Sequence, residues 1–141
     1  MTDLGLTHVA FSVRNLDASI AFYARYAAMR VVHQRQDAES GFQVAWLGDG
    51  TRPFVIVLVQ APQHEDTPLG PFGHLGVACR SRAEVDRLCA EAKADDRLRS
   101  GPTESGPPVG YWAFIADPDG NTLEVSYGQE IHAAVDAASA T

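Results

Sequence analysis

The sequence predicts an α+β domain built from two copies of a βαβββ module, and internal similarity is the main reason. The segment THVAFSVRNLDASIAFY, from Thr7, matches GHLGVACRSRAEVDRLC, from Gly73, in its pattern of residue types. A histidine stands near the start of each copy, and Arg14 and Arg80 follow at the same spacing. In both copies the hydrophobic period then changes from two residues to about 3.6, which is typical of a strand followed by a helix.

The first strand of each copy has one bulky face and one face of small residues. We expect the first of these strands over Leu6–Val13, and side chains alternate between the two faces of a strand. The faces of small residues are His8, Ala10 and Ser12 in the first copy and His74, Gly76 and Ala78 in the second. Each histidine therefore has open space beside it, while the bulky face packs on the following helix.

A helix follows each of these strands. In the first copy Asn15 is a helix cap, and Leu16, Ile20, Tyr23 and Ala27 recur at helical spacing. In the second copy Ser81 and Glu84 form a capping box before an apolar stripe. The members of that stripe are Val85, Leu88, Cys89 and Ala92. Cys89 is therefore interpreted as a buried structural thiol.

Three strands are predicted after each helix, which completes the two modules. Their ranges are Met29–Gln36, Phe42–Leu47 and Phe54–Gln60 in the first copy, and Arg97–Arg99, Tyr111–Ala116 and Thr122–Tyr127 in the second. The last two strands form a hairpin, because the intervening DPDGN is turn chemistry. The predicted organisation is module 1–60, linker 61–73, module 74–128 and tail 129–141, together forming one structural domain. Residues 100–110 are predicted as a loop, and the tail as frayed or weakly helical.

Composition limits the classes of function. The chain has 141 residues, of which 45% are hydrophobic and 21% charged, as expected for a folded domain. A net charge of −7 argues against a nucleic-acid partner, and the longest apolar run, Phe54–Val59, is too short to span a membrane. The N-terminal segment lacks the pattern of a secretory signal, so we expect a cytoplasmic protein. The two cysteines, Cys79 and Cys89, do not indicate a disulfide framework or a thiolate zinc site.

Three polar residues are candidates for one metal site. His8 and His74 hold equivalent positions in the two copies, so an approximate two-fold relation would place them face to face. Glu124 lies inside an apolar strand, where a carboxylate is costly unless it is paired, ligated or hydrated. Two imidazoles and a carboxylate bind Fe(II), Mn(II), Zn(II), Ni(II) or Co(II) and leave positions open for substrate. The competing interpretation is two hydrogen-bonded histidines and one solvated glutamate.

The chain resembles the vicinal oxygen chelate superfamily, which includes glyoxalase I, extradiol dioxygenases, and fosfomycin- and bleomycin-resistance proteins. The resemblance rests on LTHVAFSVRNLDASIAFY, FGHLGVACRSRAEVDRLC and FIADPDGNTLEVSYG. It implies that the two βαβββ modules form a cupped mixed sheet with the helices on its outer face. It also implies that His8, His74 and Glu124 bind a divalent metal ion. A small substrate chelated through adjacent oxygens, and a homodimer, are implied as well.

The sequence departs from the family pattern at two places. Glyoxalase I enzymes carry a fourth ligand on the last strand of the first module, and here that position is Val57, or Leu58 if the register slips by one. Extradiol dioxygenases carry a histidine upstream of the DPDG turn and a tyrosine shortly before it. Here residues 103–110 contain no histidine, and Phe114 stands at the tyrosine position. Four-ligand glyoxalase chemistry is therefore not the expectation.

The sequence-based hypothesis is a metal-dependent enzyme in which Glu124 is both a ligand and the catalytic proton acceptor. A lyase or isomerase and an extradiol-type dioxygenase stay open at this stage. The alternative, from another class, is a metal-free protein that binds a drug or metabolite. Trp46, Tyr111 and Trp112 line an apolar substrate wall or belong to the core, and His64 gates the site or is solvated.

Overall fold

The computed structural model describes residues 4–63, 69–70 and 72–139. They form eight strands and three helices. The first module contains β1 His8–Ser12, α1 Leu16–Ala27, β2 Arg30–Gln36, β3 Gln43–Gly48 and β4 Val55–Gln60. The second contains β5 His74–Ala78, α2 Arg82–Ala94, β6 Leu98–Glu104, β7 Tyr111–Ala116 and β8 Thr122–Tyr127, and α3 Ile131–Ser139 follows. The α+β class and the two βαβββ modules are confirmed.

Each module forms its own four-stranded mixed sheet. The strand orders are β1-β4-β3-β2 and β5-β8-β7-β6, so the two sheets have the same topology. In each sheet the strand before the helix pairs in parallel with the last strand, and the other pairings are antiparallel. The first and last strands of a module are therefore neighbours, and their paired residues lie side by side on the same face of the sheet.

The helices cover one face of their own sheets. Helix α1 contacts β2, β3 and β4, and α2 contacts β6, β7 and β8. The apolar stripe predicted for α2 is buried as expected. The predicted stripe of α1 was partly wrong, because the buried face includes Phe22 and Tyr26 while Ile20 is only half-buried. Two aromatic side chains one turn apart bury more apolar area than Ile20 and Ala27, and they set the rotation of the helix.

One other predicted boundary differs from the structure. Strand β6 reaches Glu104, so the first half of the loop predicted at 100–110 is a strand. Its register with β7 shifts on both sides of Ser100, and this irregularity accommodates the Gly101-Pro102 pair that suggested a loop. The alanine-rich tail forms helix α3, which is the helical one of the two alternatives predicted for it.

The chain divides into two compact units. The first contains residues 1–71 together with 118–121, and the second contains residues 72–117 and 122–141. The turn between β7 and β8 therefore belongs to the first unit. None of the described helices is both long enough and apolar enough to cross a membrane.

Candidate functional site

Two of the three predicted ligands come together in the second unit. Nε2 of His74, on β5, lies 3.9 Å from Oε2 of Glu124, on β8. Their side chains are 25% and 12% exposed, so both are largely withdrawn from solvent while remaining accessible. Gly76 pairs with Glu124, and His74 lies two residues before Gly76 on the same face. The alternation of β5 and β8 therefore brings the imidazole and the carboxylate together.

The ring of His74 is held in one orientation. Its Nδ1 lies 2.9 Å from the carbonyl oxygen of Phe72. Because a carbonyl only accepts, Nδ1 carries the proton of the neutral ring and the lone pair is left on Nε2, which faces Glu124. Phe72 and Phe114 pack on the ring with centroids 5.5 and 5.2 Å away. An imidazole oriented through its second nitrogen is the usual arrangement of a metal-binding histidine.

The carboxylate of Glu124 has room and free acceptor capacity. Gln129 donates from Nε2 to Oε2 of Glu124 over 3.3 Å, which is the one side-chain hydrogen bond that the described residues give this group. At position 76 an added Cβ would lie 3.3 Å from Oε2, closer than most such contacts, so glycine preserves the space that the carboxylate uses. A half-satisfied, largely buried carboxylate favours a cation.

The distance between the two groups is compatible with a shared metal ion. Ligand atoms about 2.1 Å from a tetrahedral ion lie about 3.4 Å apart. The 3.9 Å between His74 and Glu124 exceeds that by half an ångström, which a small rotation of the glutamate side chain closes. The donors, one neutral imidazole nitrogen and one carboxylate oxygen, suit the divalent ions of the first transition row. These two residues therefore fit two of the positions around a divalent metal ion.

His8 lies in the first unit, at the start of β1. Its side chain is exposed, and its Nδ1 is 2.8 Å from Oγ1 of Thr7. Across residues 4–63, 69–70 and 72–139, no three His, Cys, Asp or Glu side chains are gathered closely enough to hold one ion. The triad of His8, His74 and Glu124 stays a prediction. The structure brings together two of its members, His74 and Glu124, in the second unit.

Strand register identifies the counterpart of Glu124 in the first unit. Glu124 pairs with Gly76 on one side and with Phe114 on the other. Val57 has the same neighbours in kind, Ala10 and Trp46. Leu58, the other candidate for this position, is fully buried. The first unit thus presents an apolar side chain where the second presents a carboxylate.

The DPDGN turn has a structural role that the sequence did not reveal. Asp119 is 8% exposed, and its carboxylate accepts from the backbone N–H of Arg14 over 2.9 Å and from the hydroxyl of Ser19. Asn121 accepts from the backbone N–H of Leu69 over 2.8 Å. Asp119 is therefore a buried acceptor at the entry to α1, beyond the turn chemistry predicted for it.

Of the remaining sequence candidates, Trp46 lines a cavity, while Tyr111 and Trp112 are half-buried. Trp46 is 39% exposed and lines a cavity in the first unit, whereas Trp112 packs on Phe114 in a tilted arrangement with ring centroids 4.8 Å apart. Tyr111 donates to Asp86, and this hydrogen bond raises the pKa of the phenol. His64 lies outside the described residues. Gln129 and Phe72 were missed, because both lie in irregular segments without a periodic signal.

Neither cysteine is a candidate nucleophile. Both are free thiols, and Cys89 is buried on α2 as predicted. Burial, together with the nearby carboxylate of Glu84, raises the pKa of Cys79 to about 11. At neutral pH the thiolate is therefore scarce, and thiolates are the species that attack or bind metals.

Comparison with known proteins identifies the family of the chain. A family model described as Glyoxalase/Bleomycin resistance protein/Dioxygenase superfamily matches residues 5–125. An uncharacterised protein of Pseudomonas aeruginosa, PA2024, is 38% identical over 128 residues, which are 89% of this chain and 90% of that protein. Lactoylglutathione lyase of Salmonella typhimurium is 28% identical over 123 residues, covering 85% and 90% of the two chains.

Solved structures share the fold. The trypanothione-dependent glyoxalase I of Leishmania major superposes with a TM-score of 0.70 at 24% identity. The match covers 98% of this chain and 94% of that one. At this identity the likeness concerns the fold, and the chemistry must be argued from the residues of this chain.

Proposed function

Because the chain belongs to the glyoxalase/bleomycin resistance protein/dioxygenase superfamily, we propose that it is a metal-dependent enzyme acting on a small substrate with adjacent oxygens. The observation that carries the proposal is the pair formed by His74 and Glu124, with the imidazole already oriented by Phe72. His74 and Glu124 would hold the ion, with His8 as the third ligand. A divalent ion in such a site supplies Lewis acidity toward a carbonyl or hydroxyl oxygen of the substrate.

Each residue has a distinct task in the proposed reaction. His74 binds through Nε2 because its Nδ1 is committed to a backbone carbonyl. Glu124 has a second task, since a carboxylate beside a bound substrate can take a proton from the carbon next to a carbonyl. Gln129 donates to Glu124 and positions that carboxylate. Phe72 and Phe114 pack on the imidazole and restrict its orientation.

Within this class we favour a lyase or isomerase over a ring-cleaving dioxygenase. Relatives such as the Salmonella typhimurium protein are lactoylglutathione lyases. Phe114 packs on His74 and brings no hydroxyl to the place where the dioxygenase pattern has a tyrosine. Oxygen uptake measured with catechols and Fe(II)-loaded protein tests this choice: we expect none, and uptake that is stoichiometric with ring cleavage would assign the dioxygenase instead.

Metal analysis of protein purified without chelators tests the proposal itself. We expect about one divalent ion per chain in the wild type. His74→Ala and Glu124→Gln should each weaken affinity by roughly a hundredfold or more, because each removes a ligand and the loss of supporting groups alone costs 10–100-fold. The matched controls are His132→Ala and Glu91→Gln. His132 is exposed on α3, and Glu91 forms an ion pair with Arg87 on the surface of α2.

The competing function is a metal-free binding protein, which the cavity in the first unit favours. Substoichiometric metal in the wild type, together with affinity unchanged by His74→Ala, would decide for that function.

We further propose a cytoplasmic homodimer, as the family resemblance implies. Mixing His8→Ala and Glu124→Ala chains tests whether two chains share a site. Recovery of about one intact site per mixed dimer shows sharing, whereas no recovery places all three ligands in one chain. Sedimentation as a monomer would overturn the dimer.

A further inference from the structure

The first unit contains a cavity that the metal-binding residues do not explain. Its volume is about 510 Å³, and its lining includes His8, Arg35, Trp46, Pro53, Val55 and Val57. Cavities of this size are typical of sites for small organic molecules. Because His8 is one of its walls, the cavity opens beside a predicted metal ligand. It is therefore the natural place for the part of a substrate that does not touch the metal.

One wall of the cavity is flat and apolar. Trp46 and Val57 face each other across the β3–β4 ladder, and Val55 lies two residues before Val57 on the same face. Trp46 is 39% exposed, which is high for so large an apolar side chain. An indole beside two branched aliphatic side chains offers a surface onto which an aromatic ring stacks.

The cavity also contains a single permanent charge. Of its described lining residues, only Arg35 is charged at every physiological pH. Its Nε lies 3.2 Å from Oδ1 of Asp37, and its Nη1 lies 3.0 Å from Nε2 of His33. Within the described part of the chain, Nη2 has no hydrogen-bond partner, so its donors are available to a ligand.

The contacts of His33 connect the guanidinium of Arg35 to the indole of Trp46. The ring of His33 packs on that of Trp46 with centroids 4.7 Å apart. Arg35, His33 and Trp46 thus form a continuous chain of contacts along one face. A guanidinium held in this way binds a carboxylate with little loss of side-chain freedom.

We infer that this cavity binds an aromatic monocarboxylate, with its ring on Trp46 and Val57 and its carboxylate at Arg35. The inference deepens the proposed function, on which it rests because the cavity adjoins His8, by naming the class of substrate. A tripeptide thiol adduct with several charged groups fits less well, since this cavity has one guanidinium to match them. Val57 is decisive here, because a carboxylate at that position would repel the anion and interrupt the apolar wall.

Calorimetric titration of the metal-depleted full chain with 3-phenylpropionate tests the inference. We expect saturable binding with a dissociation constant below about 10 mM, which is the range for a small ligand with one ring and one charge. Arg35→Gln should weaken it about tenfold, while binding of the uncharged 3-phenylpropan-1-ol stays unchanged. Trp46→Leu should weaken both ligands. The matched control is Arg87→Gln, an exposed arginine of α2 that also pairs with a carboxylate.

The outcomes separate this inference from the proposed function. Absence of binding to the wild type, or equal affinity in wild type and Arg35→Gln, overturns the assignment of the cavity. Circular dichroism and thermal unfolding of each variant confirm that a loss of binding is not a loss of fold. Metal content is measured on separate samples, so a protein that binds metal without 3-phenylpropionate, or 3-phenylpropionate without metal, contradicts one claim and leaves the other standing.

Discussion

The two units have the same strand order but different residues at equivalent positions of their strands. In the second unit Glu124 lies between Gly76 and Phe114, and His74 is close by. In the first unit Val57 and Trp46 stand in the places of Glu124 and Phe114, and they line a cavity. One copy of the module thus presents a carboxylate beside an aromatic ring at these positions, while the other presents an apolar surface. A duplicated fold allows this division, because each copy keeps its core while its exposed face changes.

A second difference concerns how each unit satisfies the backbone N–H that precedes its helix. Arg14 and Arg80 hold equivalent positions in the repeat. The N–H of Arg14 donates to Asp119, which is buried and lies 105 residues away in the sequence. The N–H of Arg80 donates to Glu84, in the first turn of its own helix, over 2.8 Å. The same backbone requirement is met by a long-range buried contact in one copy and by a local exposed contact in the other.

Removal of these two carboxylates should expose that difference, and it gives the largest change in stability that we expect. Asp119→Ala leaves the N–H of Arg14 and the hydroxyl of Ser19 without this acceptor in a buried setting, which costs about 2 kcal/mol. Glu84→Ala removes a solvent-exposed contact and should cost less than about 1 kcal/mol. The free energy of unfolding from denaturant titration measures both.

Asp119→Asn is the matched control, because its amide oxygen still accepts from Arg14. It should lose less than half of what Asp119→Ala loses. Equal destabilisation by Asp119→Ala and Glu84→Ala would show that burial does not distinguish the two contacts.

Much of this arrangement is readable from the sequence, because it depends on period and repetition. The equivalence of His8 and His74 and the common face of His74 and Glu124 follow from counting residues along strands. The capping box of α2 was also predicted, although Glu84 reaches Arg80 rather than the backbone of Ser81. The contacts that were missed are set by irregular backbone or by long-range packing. Gln129 and Phe72 reach the site from segments outside the strands, and no local pattern connects Asp119 to Arg14.

The next prediction converts the first unit toward the second. Val57→Glu places a carboxylate at the register position of Glu124, so metal affinity should rise about tenfold on the proposal that His8, on the neighbouring strand, is the third ligand. Val55→Glu is the matched control, since it lies on the same strand and face but two residues from that position. A gain that is equal in the two variants, or absent from both, would show that position 57 is not the counterpart of Glu124 at the proposed metal site. Competition with a metal-binding dye provides the measurement.

The smallest effect we expect comes from filling the space beside Glu124. In Gly76→Ala the new methyl lies 3.3 Å from Oε2, so the carboxylate must shift, and metal affinity should fall roughly threefold. Gly48→Ala is the control, because its methyl meets the side chain of Val32 at 3.5 Å, an ordinary contact.

Stability and affinity should move in opposite directions in Gly76→Ala. Replacing glycine by alanine within a strand removes freedom from the unfolded chain and stabilises by about 0.5 kcal/mol. A variant that unfolds no more easily than the wild type but binds metal more weakly therefore reports on the geometry of the carboxylate itself. If both alanine variants bind metal as the wild type does, the space beside Glu124 does not matter to the site, and glycine at position 76 serves only the packing of β5 on β8.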